Sequence, residues 1–377
     1  MDMERTLTPY IAKDLETKMV LLSGPRQVGK TTLSQALNMK LQYLNFDSEE
    51  HRKIILGKTW DRSLELIVFD ELHKKPKWKS WIKGIYDTEP RPPSFLVTGS
   101  ARMDIFKKGS DSLAGRHFNY RLHPLSLAEL ENIFPPHEAL ETLLTCGGFP
   151  EPFLNGTDGF AKRWRRTHID RILKEDILEI EQIRQFKSLE LLVDLLSERV
   201  GSPISYSSLA RDLEVSPNTI KRWIEILEAF YVIFVVPPFS KNLARSILKE
   251  PKIFFYDNGK VRNDEASKLE NLVALSLLKD INLREDIKGE KGQLFYLRDK
   301  EKREVDFLVT RENKIHSLVE VKLSDNSFSK NLFYFEERLK PKQCFQIVKN
   351  LKLPQSTPKI KMQGVVEFLL GLEILNN

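Results

Sequence analysis

The sequence predicts an α/β protein of more than one domain, and three stretches carry that prediction. An aliphatic run leads into a glycine–lysine turn and a helix-forming segment in "MVLLSGPRQVGKTTLSQALNM", residues 19–39. A wholly apolar run ends on an acid in "LELIVFDEL", residues 64–72. Two alternating runs flank a polar turn in "REVDFLVTRENKIHSLVEVKLS", residues 303–324. The first two runs are apolar throughout, as in parallel strands covered on both faces, and the third is a hairpin pattern. The expected organisation is a parallel-sheet domain over 1–150, a helical and winged-helix region over 151–240, and a second α/β domain over 241–377.

A chain of 377 residues is too long for one small core. With 41% apolar and 30% charged residues it reads as folded rather than disordered. The net charge of +6 permits a nucleic-acid partner without requiring one. Its 2 cysteines are far apart and make no metal-ligand spacing, so a reduced, cytoplasmic compartment is expected. The charged start "MDMERTLTPYIAKDLE" has no apolar core of a secretory signal. No run reaches the ~18 uncharged apolar residues of a membrane span.

Gly24 through Thr31 fits G-x-x-x-x-G-K-[ST] at every fixed position. Strand, loop and helix follow in the order that phosphate binding requires. Glycines let the backbone close round a phosphate, N–H groups point inward, and the helix N-terminus adds its dipole. The loop Gly24, Pro25, Arg26, Gln27, Val28, Gly29, Lys30, Thr31 and Thr32 would therefore cradle ATP. Lys30 would reach the β- and γ-phosphates, and the Thr31 hydroxyl would ligate Mg²⁺.

An NTP hydrolase needs a second element, a buried strand ending in an acid. Leu66–Phe69 are apolar, and Asp70 and Glu71 follow. Asp70 would order Mg²⁺, and Glu71 would polarise the attacking water as general base. The strand "SFLVTGSAR", 94–102, places Thr98 and Ser100 where a polar group beside the metal strand would stand. Beyond it lie Arg116 and Arg121. An arginine commonly stabilises γ-phosphate charge in cis or from a neighbouring subunit; Arg116 is the preferred candidate and Arg102 the second.

Taken together, "GPRQVGKTTL", "VFDELHK", "LVTGSAR", "LAGR…LHPLSLAEL" and "GGFPEPF" resemble a widespread prokaryotic group of AAA-superfamily, archaeal-type ATPases. The resemblance runs over most of the chain. It implies ATP and Mg²⁺ as cofactors, a homo-oligomer as one mode of assembly, and a C-terminal domain related to restriction endonucleases.

Between the two ends, "SYSSLARDLEVSPNTIKRWIEILEAFYVIFVVPPF" reads as two short helices and a strand. Ser216 is a good N-cap, and Pro217 suits the first helical position. Ile220, Ile224 and Leu227 form the inner stripe. In a DNA-reading version, Asn218, Thr219, Lys221 and Arg222 would enter the major groove; winged helices in this superfamily also serve as lids. Arg163, Arg165, Arg166 and Arg171 could touch a phosphate backbone or form a solvated face. Trp78, Trp81, Ile82 and Ile85 fall at helical spacing, so core packing accounts for those aromatics and the neighbouring lysines form a wet face.

In the C-terminal hairpin, a three-residue loop at 312–314 would set Asp306 opposite Glu320 and Glu304 opposite Lys322, whereas a two-residue loop would break that register. Two facing carboxylates and a lysine make the D…E-x-K arrangement of restriction-type nucleases, with acids on Mg²⁺ or Mn²⁺ and Lys322 orienting water. Glu270, at the start of "ENLVALSLL", matches the helical acid that such domains add to the metal site. The strand "KIFFYDNG" ends in Asp257, which fits the resemblance, whereas the "DNGKV" that follows departs from the more apolar turn usual in related chains. Double-stranded DNA is the partner that this domain implies.

Overall fold

The computed structural model describes residues 3–100, 113–177, 185–240, 250–262, 264–324 and 327–373. It divides into two compact units, Met1–His123 and Pro124–Asn377. The expected boundary at residue 150 falls inside the second.

In the first unit, β1 (Met19–Ser23), β2 (Leu41–Asn45), β3 (Leu66–Asp70), β4 (Ser94–Gly99) and β5 (His117–Arg121) form one sheet in the order β2-β3-β4-β1-β5. Every pair in it is parallel. Helices α1 (Thr8–Leu15), α2 (Lys30–Gln35), α3 (Glu49–Gly57) and α4 (Trp78–Thr88) belong to the same unit. β3 is buried at all of its residues, as its unbroken apolar run requires. Phe69 stacks on Phe95, and Trp60 meets both rings edge-on. Trp78, Ile82 and Ile85 are buried against this cluster with Trp81 beside them. Lys75 and Lys79 lie over the Trp81 and Trp78 rings, so the lysines of this segment keep their charges outside an aromatic core.

The second unit begins with α5 (Leu127–Leu130), α6 (Pro136–Cys146), α7 (Pro150–Asn155), α8 (Asp158–Arg171) and α9 (Phe186–Ser197). Arg165 is not part of a solvated face: its Nε lies 2.6 Å from Asp257 Oδ2. Next come α10 (Tyr206–Asp212), α11 (Pro217–Ala229) and the antiparallel pair β6 (Ile233–Val236) and β7 (Lys252–Phe255). The Ser216 side chain accepts from Thr219 N at 3.1 Å and caps α11. Ile220, Trp223, Ile224 and Leu227 are buried, while Asn218, Lys221 and Arg222 are exposed.

A six-stranded mixed sheet completes the unit. The long helix α12 (Glu265–Lys288) precedes β8 (Gly292–Arg298), β9 (Glu304–Arg311) and β10 (Lys314–Lys322). Then follow α13 (Lys330–Leu339), β11 (Gln343–Val348), β12 (Gln355–Ser356), β13 (Lys361–Gly364) and α14 (Val365–Leu370). Strand order is β12-β13-β11-β10-β9-β8, with β10, β11 and β13 parallel and β8, β9 and β10 antiparallel.

The β9–β10 turn has two central residues, Glu312 and Asn313, both left-handed at φ 48° and 59°. Lys314 therefore pairs with Arg311, one step away from the expected register. A bulge at His316 takes up the difference, and from Ser317 onward Leu318 faces Leu308 and Val319 faces Phe307. The expected three-residue loop is thus corrected, while the register that it implied is restored by the bulge. Among the described residues, no helix is long and apolar enough to cross a membrane.

Candidate functional site

The first unit concentrates its polar chemistry at the carboxyl ends of β1, β3 and β4. Gly29 adopts φ 100° just before α2, a conformation that glycine reaches without strain. Gly24 sits so close to β5 that a Cβ there would lie 2.3 Å from the Leu122 carbonyl oxygen. Lys30 is buried, and its Nζ donates to the carbonyls of Gly24 at 2.9 Å and Pro25 at 2.8 Å. The ammonium thus folds back on its own loop, which holds the phosphate cradle shaped. Arg5 supports the loop from outside: its Nη1 donates to the Val28 carbonyl at 3.0 Å and its Nη2 to that of His123 at 2.5 Å.

Asp70 is buried at the end of β3 and accepts from the hydroxyls of Tyr43 and Thr98. Glu71 N and Asn45 Nδ2 donate to it at 3.1 and 3.3 Å. All four donors are neutral. Thr31 Oγ1 lies 3.4 Å from the same Tyr43 hydroxyl. Thr31 and Asp70 therefore flank a position that a divalent cation would suit, and the donor set is the hard-oxygen kind that Mg²⁺ takes. Burial and the Asp70 hydrogen bond push the Tyr43 hydroxyl up to about 12, so it stays a neutral donor.

Glu71 takes a left-handed backbone, φ 55°, unusual for a side-chain-bearing residue and concentrated at functional sites. Ser100 Oγ donates to its Oε2 at 3.2 Å, and His73 Nδ1 lies 3.6 Å away. Burial raises the Glu71 carboxyl above its ordinary value, with Lys30 opposing the shift. Thr98 and Ser100 thus touch Asp70 and Glu71 respectively, from the strand beside β3.

Arg116 is displaced from this end. It directly precedes His117, which pairs with Met19 at the start of β1, whereas the loop follows Ser23 at its finish. Four residues of strand, about 13 Å, separate those levels. Arg116 is instead held by Asp87 at 2.7 Å, so its expected role in cis is corrected. Arg121 pairs with Ser23 and stands at the level of the loop. Arg102 lies outside the described residues.

In the second unit a lysine organises the acids. Lys252, 1% exposed, places Nζ 2.7 Å from Glu304 Oε1, 3.1 Å from Glu270 Oε1 and 4.0 Å from Asp306 Oδ1. Burial alone would lower its pKa, but the three carboxylates outweigh that and raise it. Asp306 also accepts from Val321 N at 2.8 Å. Glu320 is buried and ion-paired to Lys322 at 2.8 Å. Burial and the Asp306 charge push Glu320 up to about 7. Burial likewise carries Glu270 to about 8 against the pull of Lys252.

The expected metal ligands Glu270, Asp306 and Glu320 are thus gathered, but not as a cation cage. Among the described residues, no group of three or more His, Cys, Asp or Glu side chains is arranged to hold a metal ion. An ammonium fills that role for Glu270 and Asp306. Asp257 has a structural explanation, since it binds Arg165 and accepts from Gly259 N at 3.0 Å.

Three residues escape a reading of the sequence. Arg5 and Tyr43 reach the phosphate end from distant segments with no local pattern to mark them. Lys252 carries one signal, a charge at the head of the apolar run "KIFFY".

Residues 16–131 match a family described as an AAA domain. Residues 137–264 and 267–364 match two domains of unknown function, DUF8612 and DUF4143. An uncharacterized protein of Mycobacterium tuberculosis is 28% identical over 247 residues, 64% of this chain and 54% of that one. Another, from Methanocaldococcus jannaschii, is 25% identical over 383 residues, 91% of this chain and 84% of its own. The chain therefore spans about half the length of the mycobacterial relative. Among solved structures, a signal-transduction ATPase with a tetratricopeptide repeat sensor from Pyrococcus horikoshii gives TM-score 0.26 at 14% identity, covering 76% of this chain and 48% of its own. The Bacillus subtilis DNA clamp loader delta protein gives TM-score 0.27 at 14% identity, covering 71% and 99%. Strand order and loop geometry in the first unit are those of a P-loop fold, and the same unit carries the match to the AAA domain.

Proposed function

We propose that the chain is a Mg²⁺-dependent ATP hydrolase whose nucleotide cycle governs a DNA-directed C-terminal unit. The observation that supports this most is the convergence of Lys30, Thr31, Asp70, Glu71, Thr98 and Ser100 at one end of one parallel sheet. In the proposed reaction, the loop amides and Lys30 hold the β- and γ-phosphates. Mg²⁺, held by Thr31 and Asp70, would neutralise phosphate charge. Glu71 accepts a proton from the attacking water as the water oxygen bonds to the γ-phosphorus. The bond to the β-γ bridging oxygen breaks, and ADP leaves with the electron pair.

Two variants test the reading. Lys30→Ala abolishes ATP binding, measured by fluorescence of a labelled ATP analogue. Glu71→Gln retains ATP while turnover falls by about 10²-fold or more. Undiminished ATP affinity in the first, or normal turnover in the second, removes the corresponding assignment.

For the second unit, the mixed sheet with Asp306, Glu320 and Lys322 supports a restriction-endonuclease-like core. Lys252 favours the version that does not cut: a buried ammonium already neutralises two of the acids that a metal would need. The unit then binds DNA or a protein partner under nucleotide control, with Asn218, Lys221 and Arg222 on the exposed face of α11. Incubation with linear and circular DNA in Mg²⁺ or Mn²⁺ separates the versions. Cleavage lost in Asp306→Ala would restore the nuclease reading.

A further inference from the structure

A cavity of about 530 Å³ opens between α12, the sheet strands and α14 of the second unit, within the range of small-molecule sites. None of the acids around Lys252 lines it. Its lining is cationic: Arg284, Arg311, Lys342 and Lys361 face it, against Asp280 and Glu367. Asp280 serves both arginines, at 3.0 Å from Arg284 and 3.2 Å from Arg311, and Glu290 reaches Arg311 only at 4.0 Å.

Three buried polar atoms on this lining lack a hydrogen-bond partner among the described residues: Arg311 Nε, His316 Nδ1 and Gln363 Oε1. Gln363 is 4% exposed. Such groups are rare and costly unless something completes them. The bulge between Ile315 and Ser317 is what presents His316 here, since a bulge re-aims one side chain out of strand alternation. Burial, with Arg311 nearby, pushes His316 down to about 4, so it serves as a neutral hydrogen-bonding group. On the apolar side Phe345 and Phe368 meet edge to face at 5.4 Å and offer a wall to a flat ring.

We propose that this cavity binds a small organic phosphate of mononucleotide size, its phosphate on Arg311, Lys342 and His316 and its ring beside Phe345 and Phe368, with Gln363 reading a polar edge. The proposal does not depend on the ATPase reading. A nucleoside monophosphate also separates the two sites, because it lacks the β-phosphate that Lys30 would hold.

The test is calorimetric titration of the full chain with AMP, CMP and inorganic phosphate, repeated in Lys30→Ala, Lys342→Met and Gln363→Leu. The wild type and Lys30→Ala bind at least one monophosphate with equal affinity. Lys342→Met and Gln363→Leu weaken it by on the order of tenfold. Gln363→Leu also melts higher than the wild type, since it removes an unpartnered buried amide. Should Gln363→Leu not fold, the exposed Lys342→Met decides. The proposal falls if neither monophosphate binds at millimolar concentration, if binding vanishes in Lys30→Ala alone, or if inorganic phosphate binds as tightly as the nucleotides.

Discussion

At the residue scale, side chains earn their roles by which end of a strand they occupy. Arg116 and Arg121 bracket the same strand, yet only Arg121 stands level with the phosphate loop. Arg121→Ala is expected to slow ATP turnover by tenfold or more. Arg116→Ala should leave turnover within about twofold, since its exposed pair with Asp87 is worth little. A steady-state ATPase assay on both checks the assignment, and a loss in Arg116→Ala that deepens on dilution would move that residue to a neighbouring subunit. Glu320 gives a pH prediction. Its folded value, about 7, lies above the ordinary carboxylate value of 4.5. The folded state therefore binds the proton more tightly than the unfolded chain does. The stability this gives is fully present below about pH 4.5 and is lost as pH rises through 7. Glu320→Gln should then raise the melting temperature by a few degrees at pH 8 and change it little at pH 4.5, measured by thermal scans at both.

At the element scale, contiguous signals were legible and convergent ones were not. The loop from Gly24 to Thr31 and the buried strand ending at Asp70 are local patterns, so sequence alone places them. Arg5 and Tyr43 arrive from other segments, and nothing in their own surroundings marks them. The C-terminal hairpin shows the same limit differently. Its two strands were legible from alternation, but the facing register was reached through a three-residue loop that is not there, because the His316 bulge that restores the register has no sequence signature. Lys252 misleads for the opposite reason: its one signal, a lysine at a strand's head, reads as a surface charge until three acids are seen to surround it. Removing it strips those half-buried acids of the ammonium that they share. Lys252→Met is expected to cost about 3–5 kcal/mol of stability, read from denaturant midpoints of the whole chain. A variant as stable as the wild type would show that the acids are not held by that ammonium.

At the scale of the whole molecule, the chain joins two units of different construction through a covalent crossing at His123 and Pro124. The first has a purely parallel sheet with its chemistry at one end; the second has a mixed sheet with charged clusters built into it. Leu122 ends the flanking strand's path and presses its carbonyl on Gly24, while Arg5 grips both the loop and His123. Gly24→Ala should therefore displace the strand's exit as well as the loop, lowering ATP affinity by tenfold or more and destabilising the chain by about 1–3 kcal/mol. Normal affinity in that variant would show the approach to be slack. Any movement of the cradle must therefore shift the Leu122 carbonyl or open a gap beside Gly24. The loop and the exit of β5 are thereby locked at one spacing by a glycine that has no room for a methyl group.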